Sequence, residues 1–392
     1  MNEANHGTEG PTRRHLRIGM LSTYPPTACG LATFSSALSR NLIAQGHSVQ
    51  VVAVDDGSGD TRSTASSRTT LRNGSPDSIK AAAFELSRND VAVIQHEYGI
   101  FGGPDGDEVL DVMRALTAPA LVVLHTVPAH PTAHQAEVLI DVCTLAERLV
   151  VMTESARTRL LDTYPVDRAK VATIPHGALV AADLGMKSAT RSGDRIRLLS
   201  WGLLGPGKGI ENVIRAVAGL NRRGHQVEYV VAGMTHPKVV ARQGEAYRAS
   251  LIEQAREAGV GHLVSFDRAY RGPADLTSFI AKFSLVVMGY ESTDQVVSGV
   301  LVDSIAAGRP VIATAFPHAT ELLSGGAGIV VPHGDQAALL DAIQFATGSP
   351  DVLAAMSSRA RALAPAHSWG TVAGLYADLC RSTIGTSKPV AA

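Results

Sequence analysis

The sequence predicts an α/β protein of two facing Rossmann-like domains, each a doubly wound parallel sheet, with a cleft between them. Short apolar runs rich in β-branched residues alternate with longer amphipathic stretches, as expected for buried parallel strands joined by helices. This alternation stops at a small, polar segment and then begins again, which predicts a second domain of the same architecture. The length of 392 residues fits two domains of roughly 150–200 residues each.

Composition excludes several function classes. The chain is 45% hydrophobic and 18% charged with a formal net charge of −1, so it lacks the basic excess of a nucleic-acid binder. No apolar run approaches the ~20 residues of a membrane-spanning helix, although peripheral membrane contact stays open. The cysteines Cys29, Cys143 and Cys380 are too few and too far apart for a disulfide framework, which favours a cytoplasmic location. No His or Cys set has metal-ligand spacing, and we expect neither metal nor cofactor.

The first half of the chain contains six predicted strands and five predicted helices. The strands are 17–22, 48–54, 91–95, 120–124, 148–152 and 171–174. The helices are 34–45, 79–88, 106–117, 133–146 and 154–162. Residues 56–76 are rich in Gly, Ser, Thr and Arg and are predicted to be an exposed loop. The polar residues 1–14 are predicted to be a disordered tail.

The second half repeats the pattern after the polar break at 180–194. The predicted strands are 196–201, 227–232, 263–266, 284–288 and 310–313. The predicted helices are 209–222, 245–258, 273–282, 299–307 and 335–347. The domain limits are therefore predicted at 15–185 and 196–362, joined by a linker at 186–195. Residues 363–392 are predicted to hold a helix that packs back on the first domain, followed by a disordered tail.

Ligands of doubly wound sheets bind outside the carboxyl ends of the strands, so polar residues that directly follow strands are the functional candidates. In the first domain these are Gly30, which precedes a helix, the pair His96 and Glu97, and His125. A glycine there lets a ligand approach exposed backbone N–H groups. The alternatives are an ordinary strand–helix turn, a His–Glu pair that pins the glycine loop, and a structural histidine.

A glycine-rich loop follows the first strand of the second domain. It runs from Gly202 to Gly209 and places Lys208 at the start of a helix. Exposed N–H groups, a helix dipole and an ammonium group together form an anion site. The loop is not a Walker loop, because no Ser or Thr follows Lys208 directly. The alternative is a surface lysine at a helix start.

The densest motif lies at 289–314. A polar loop follows a strand that ends at Met288, and a helix begins at Ser298–Gly299 and stops at Gly308. Gln295 and Asp303 are both placed to reach the predicted cleft. An acidic loop in solvent is the alternative, but it does not explain why polar residues concentrate at a strand's carboxyl end.

With these motifs, nearly all of residues 16–362 resembles the retaining glycosyltransferases of family 4, which have the GT-B fold. The resemblance rests on the glycine loop at Gly30, the segment 174–177, the loop from Gly202 to Gly209 and, most specifically, residues 306–314. The chain looks like a divergent branch. Its acidic motif is Gln295-x7-Asp303 where the family has Glu-x7-Glu, and Leu203 stands where the family has an arginine on the diphosphate. Arg268 is a candidate to replace that charge.

The resemblance implies a role for each donor-side residue. Asp303 would take the ribose hydroxyls, as the second glutamate of the family does. Gln295 and the amides of Ser298, Gly299 and Val300 would hold the transferred sugar and the β-phosphate. Lys208 would neutralise the leaving diphosphate, and Gly30 and Gly202 would also bind the donor. No metal is implied.

In the first domain, His125 would hydrogen-bond the donor sugar, and His96 and Glu97 would face the acceptor. The implied reaction transfers a sugar from a UDP- or GDP-linked donor to a carbohydrate or lipid-linked hydroxyl with retention of configuration. Three alternatives stay open: a glycoside phosphorylase, a nucleotide-sugar epimerase of the same fold, and a non-catalytic protein that binds sugar nucleotides.

Overall fold

The computed structural model describes residues 14–27, 29–55, 69–185 and 195–386. Several predicted segments lie largely outside these residues. They are the tail predicted at 1–14, the tail after the last helix, the loop predicted at 56–76 and the linker predicted at 186–195. The predicted pair of doubly wound parallel sheets is confirmed, since the described residues form one seven-stranded and one six-stranded sheet.

The seven-stranded sheet has the order β3-β2-β1-β4-β5-β6-β7. Its strands are β1 Arg17–Ser22, β2 Ser48–Asp55, β3 Thr70–Arg72, β4 Val91–His96, β5 Ala120–Leu124, β6 Arg148–Val151 and β7 Val171–Thr173. The accompanying helices are α1 Gly30–Ala44, α2 Pro76–Ser87, α3 Glu108–Ala115, α4 Ala133–Leu145 and α5 Glu154–Thr163. Strand β1 pairs in parallel with both β2 and β4. The strand order therefore reverses between β1 and β4.

The six-stranded sheet has the order β10-β9-β8-β11-β12-β13. Its strands are β8 Arg197–Trp201, β9 Glu228–Ala232, β10 Val264–Asp267, β11 Leu285–Met288, β12 Val311–Thr314 and β13 Gly328–Val331. The remaining helices are α6 Ile210–Arg222, α7 Pro237–Gln243, α8 Ala246–Glu257, α9 Pro273–Ile280, α10 Gly299–Ala306, α11 Pro317–Leu323, α12 Gln336–Gly348, α13 Pro350–Leu363 and α14 Trp369–Thr386. Here the order reverses between β8 and β11.

Both faces of the six-stranded sheet are covered, which explains why its strands are continuously apolar. Successive residues of β8 point to opposite faces. Leu198 packs in a cluster with residues of α6, α8 and α12, whereas Leu199 packs in a second cluster with residues of α10 and α11. The sheet is therefore the central layer of a three-layer arrangement.

Packing divides the chain into two compact units. The first contains the described residues within Met1–Val123, Glu137–Leu149 and Ala373–Ala392, and the second contains those within Leu124–Ala136 and Val150–Val372. The domain limits at 15–185 and 196–362 stay a prediction. Among the described residues, no helix combines the length and apolar character needed to span a bilayer.

Several short elements were not predicted from the sequence. They are β3, β13, α7 and α11; the 14-residue helix α13 was also not predicted. Strand β3 has only three residues, and the helices α7 and α11 have seven each. Such lengths are too short for a repeating pattern of apolar residues. In addition, α1 begins at Gly30, earlier than the predicted Phe34, because the Cys29 thiol caps it by accepting from the Ala32 N–H.

We expect Gly209→Ala to destabilise the fold more than alanine at a comparable glycine. Gly209 has a φ of +64°, and a Cβ there would overlap the carbonyl oxygen of Gly289. The matched control is Gly224→Ala, because Gly224 has a φ of +81° but open space around it. Strain alone should cost the control about 1–2 kcal/mol. Denaturant unfolding of both variants checks this, and equal losses of unfolding free energy would contradict it.

Candidate functional site

The loops after β8 and β11 lie at the position where doubly wound sheets commonly bind ligands. The strand order reverses between these two neighbouring strands. Because the connections leave the sheet in opposite directions there, a crevice opens outside the strands' carboxyl ends. The two motifs predicted to bind the donor, 202–209 and 289–298, are the loops at this position.

The loop after β8 depends on glycine for its shape. Gly202, Gly207 and Gly209 have φ values of +120°, +85° and +64°, which L side chains rarely adopt. The Gly202 N–H donates to the carbonyl oxygen of Ala232 at 3.0 Å, so the loop starts as a continuation of the sheet. Helix α6 follows Gly209 directly.

The two loops are in backbone contact with each other. The Glu291 N–H donates to the Gly207 carbonyl oxygen at 3.0 Å. Two residues further on, Gly209 lies so close to Gly289 that a Cβ on either would crowd the backbone of the other. The segments 207–209 and 289–291 therefore form one fixed junction.

Lys208 is held at the centre of this junction. Its Nζ atom lies 4.2 Å from the centroid of the Tyr290 ring, a cation–π distance. Among the described residues, no carboxylate forms an ion pair with it. Partial burial lowers the pKa of Lys208. The ammonium is therefore kept available for an external anion.

Helix α10 presents its N-terminus after the second loop. The Ser298 hydroxyl caps it by accepting from the Leu301 N–H at 3.3 Å, and the Ser298 N–H donates to Nδ1 of His318 at 2.8 Å. No motif in the sequence had pointed to His318. It is 3% exposed, and burial lowers its pKa to about 3, so the ring is neutral. Within the described part of the chain, the N–H groups of Gly299 and Val300 have no partner, which suits an anion.

Gln295 and Asp303 have different surroundings. The side-chain amide of Gln295 donates to the carbonyl oxygen of Val297 at 3.0 Å, so one of its hydrogen bonds shapes its own loop. The Asp303 carboxylate is half-buried and has no hydrogen bond or ion pair with any described residue. Burial raises the pKa of Asp303 to about 7. A carboxylate without a partner in this position can accept from a ligand's hydroxyl groups.

Two arginines lie near the loops. The predicted Arg268 is 65% exposed, with Nη2 3.9 Å from the Glu245 carboxylate. Arg248, which the sequence did not single out, is 1% exposed and donates from Nη2 to the Gly233 carbonyl oxygen. A Cβ on Gly233 would overlap the carbonyl oxygen of Gly202. Arg248 also forms an ion pair with Glu245 at 3.1 Å, so its charge is neutralised inside the protein while it holds the Gly233 carbonyl beside Gly202.

Two further residues contact helix N-termini of the second unit: His176, which belongs to the segment 174–177 that carried the resemblance, and Glu321, which the sequence did not single out. His176 lies with its Nε2 3.2 Å from the position of a Cβ on Gly299. Burial lowers the pKa of His176 to about 4. The Glu321 carboxylate accepts from the backbone N–H groups of Glu154 and Ser155 at 2.9 and 2.8 Å, and so caps α5. Glu321 and His318 are both on α11, whose seven residues carry no periodic signal.

Of the candidates in the seven-stranded sheet, Gly30, Glu97 and His125 lie after strands as predicted, whereas His96 lies within β4 as its last residue. Gly30 is the first residue of α1, with open space where a Cβ would be, so packing does not require glycine there. His96 ends β4 and is fully buried, which lowers its pKa to about 4. Glu97 follows it and is half-buried. His125 follows β5 and is half-buried in the second unit.

No group of three or more His, Cys, Asp or Glu side chains within the described ranges is arranged to hold a metal ion.

Two family models match the chain in succession. Residues 28–178 match Glycosyltransferase Family 4, and residues 185–363 match Glycosyl transferases group 1. A curated relative, D-inositol 3-phosphate glycosyltransferase of Nocardia farcinica, is 28% identical over 238 residues, which is 58% of this chain. The chain spans about half the length of that relative, 51%.

Solved structures share the fold over nearly the whole chain. A glycosyltransferase from Rickettsia africae is 14% identical with a TM-score of 0.72, covering 95% of this chain and 100% of that one. Anabaena HepE, solved in complex with UDP and glucose, is 17% identical with a TM-score of 0.71, covering 94% and 100%. The architecture therefore matches that of GT-B glycosyltransferases.

We expect the parent protein to lose stability relative to Asp303→Asn as the pH rises from 5 to 8. The folded pKa of Asp303, about 7, lies above the ordinary 3.8. Between these values the folded state binds more protons than the unfolded state, so stability falls as the pH rises. Melting temperatures of both proteins across this range check it. Asp162→Asn, at an exposed carboxylate, is the control, and a pH-independent difference for Asp303→Asn would contradict the expectation.

Proposed function

We propose that this chain, a glycosyltransferase by its successive family 4 and group 1 segments, transfers a hexosyl group from a nucleoside diphosphate to an acceptor hydroxyl with retention of configuration. The acceptor is a carbohydrate or a lipid-linked sugar. The donor is UDP- or GDP-linked, and the UDP bound by the structurally similar HepE supports the first.

One observation carries the proposal. Lys208 lies at the strand-order reversal between two glycines with positive φ, half-buried and without a carboxylate partner among the described residues. Two N–H groups of α10, those of Gly299 and Val300, lie after the neighbouring loop. An ammonium group, the backbone N–H groups of a glycine-rich loop and a helix N-terminus are the groups that bind a diphosphate.

Asp303 supports a nucleoside as the remainder of the ligand. In our proposal its carboxylate accepts from the two ribose hydroxyls, which replace the partners it lacks among the described residues. Charge-assisted hydrogen bonds of this kind contribute about 1.5–3 kcal/mol each. They would also favour the ionised form and so lower the pKa from its value of about 7 in the unliganded protein.

The reaction that fits these groups is substitution on one face of the sugar. The bond from the anomeric carbon to the β-phosphate oxygen breaks as a bond from that carbon to the acceptor oxygen forms. The acceptor proton passes to the departing phosphate. Lys208 and the α10 amides stabilise the charge that develops on the diphosphate, and they do so more in the transition state than in the ground state. The reaction therefore proceeds without a metal ion.

The acceptor side is assigned to the loops after β1 and β4, where the seven-stranded sheet reverses its own order. Glu97 faces the acceptor in this assignment. His96 is buried and neutral, so we give it the role of shaping the loop around Glu97. His125 hydrogen-bonds the donor sugar. We place the reaction in the cytoplasm, which the free cysteines support.

We expect Lys208→Ala to lower turnover at least about tenfold, because a charge-assisted contact with the leaving group is lost. Its melting temperature should change little, since Lys208 makes no ion pair with a described residue. Steady-state kinetics with UDP- and GDP-sugars check this. Lys282→Ala, at an exposed lysine just before β11, is the matched control.

Wild-type turnover in Lys208→Ala would remove the assignment of the diphosphate site. Phosphorolysis of an oligosaccharide without nucleotide would favour a phosphorylase instead. Conversion of the donor sugar without acceptor would indicate an epimerase, and binding without turnover across many acceptors would indicate a non-catalytic protein.

A second prediction concerns the neutral amide at Gln295. Gln295→Glu removes the hydrogen bond to Val297, because a carboxylate cannot donate, and it also adds a negative charge near the proposed diphosphate. Gln295→Leu removes the hydrogen bond alone. We expect the Glu variant to lose more donor affinity than the Leu variant. Adding Leu203→Arg should restore part of the loss in the first but none in the second. Donor affinities of these four variants and of Leu203→Arg alone check this, and equal losses in Gln295→Glu and Gln295→Leu would assign Gln295 to loop structure only.

A further inference from the structure

The ring of Tyr290 lies against the ammonium group of Lys208. The ammonium lies 4.2 Å from the ring centroid. A lysine in a phosphate loop commonly needs something that holds its long side chain in one place, because each rotatable bond costs conformational entropy to fix. Here an aromatic face does so within the described part of the chain, where no carboxylate pairs with Lys208.

The ring itself is tightly held. Tyr290 is 5% exposed, and its ring stacks with Phe316 at a centroid distance of 5.5 Å and an angle of 20°. Its carbonyl oxygen accepts from the Thr314 hydroxyl at 2.6 Å and also lies 3.0 Å from Nδ1 of His333. The ring therefore has little freedom to move away from the ammonium.

The two residues are also held in register by their neighbours. Residues on both sides of Lys208 contact residues on both sides of Tyr290, through the Gly207–Glu291 hydrogen bond and the close approach of Gly209 to Gly289. Lys208 and Tyr290 thus face each other across two backbone contacts. Glycine at 209 and 289 makes this spacing sterically possible.

An aromatic partner suits a lysine that must bind an anion. A carboxylate would neutralise the ammonium and compete with the ligand for its three N–H donors. The negative face of a ring attracts the cation and leaves its charge and most of its donors for the ligand. Burial raises the pKa of the Tyr290 phenol, so the ring is uncharged wherever the lysine is charged.

We propose that Tyr290 is a positioning residue for nucleotide binding: its ring holds the Lys208 ammonium charged and oriented towards the diphosphate of the donor. This inference rests on the proposed function, because it takes the diphosphate as the anion that Lys208 meets. The side chain of Tyr290 itself need not touch the donor.

The test varies the electron density of the ring at position 290 without changing the shape of the ring. Tyr290→Phe keeps an electron-rich face, whereas Tyr290→trifluorophenylalanine keeps the shape and removes most of the attraction. Calorimetry with UDP and with GDP gives the affinities, and the nucleotide that binds more tightly is used in the measurements that follow. We expect the Phe variant to bind within about twofold of the parent and the fluorinated variant about threefold to tenfold more weakly.

The pH profile of binding separates this role from simple packing. Weakening the ring's attraction disfavours the charged ammonium, so affinity in the fluorinated variant should begin to fall at a lower pH than in the Phe variant. The same pair is made in a Lys208→Met background, where fluorination should have no effect on affinity. Phe345→Leu, at an exposed ring on α12, is the control for loss of an aromatic group elsewhere in the same unit.

The outcomes distinguish a failure of the role given to Tyr290 from a failure of the proposed function. Equal affinity of the Phe and fluorinated variants, or the same loss in the Lys208→Met background, would overturn the role of Tyr290. If neither UDP nor GDP binds the parent protein, the proposed function fails and this inference fails with it. If they bind and Lys208→Ala weakens them while fluorination does not, the inference alone fails.

Discussion

The contact between the backbones of 207–209 and 289–291 is the constraint on which the rest of the candidate site depends. It joins the loops that leave the six-stranded sheet in opposite directions, through a 3.0 Å hydrogen bond and the close approach of two glycines. A side chain at either glycine would push the loops apart. Because the loops are joined there, Lys208 reaches Tyr290 and the second loop leads into α10 at a defined place.

The charges around this junction are arranged unevenly. Lys208 and the N-terminus of α10 are positive groups that a ligand could meet, whereas the buried Arg248 is paired with Glu245. The imidazoles of His176 and His318 are neutral because burial lowers the pKa of each. They therefore supply shape and hydrogen bonds without adding charge. The Asp303 carboxylate has no partner among the described residues, so these groups together suit a molecule with an anionic part and a hydroxyl-bearing part.

The sequence predicted the features that repeat or that use special residue types. Apolar strands covered on both faces, the glycines before Lys208 and the cap at Ser298 all leave local signals. No local signal pointed to His318, Glu321 or Arg248. Each of them forms its hydrogen bond with a backbone group far along the chain, and the first two lie on a short helix without a periodic pattern. The side-chain amide of Gln295 bonds to its own loop, which residue spacing cannot show. The roles given to the predicted site residues stay predictions.

The bond between the Ser298 N–H and His318 sets how many donors helix α10 can offer. The N–H of the capping residue Ser298 is committed to His318 and that of Leu301 to the Ser298 hydroxyl, so an anion at this end would meet the N–H groups of Gly299 and Val300. A chain with glycine at 318 would release the third amide and gain a donor, at the cost of a less firmly held helix start. His318 thus removes one possible hydrogen-bond donor for a ligand and in return holds the start of α10 more firmly.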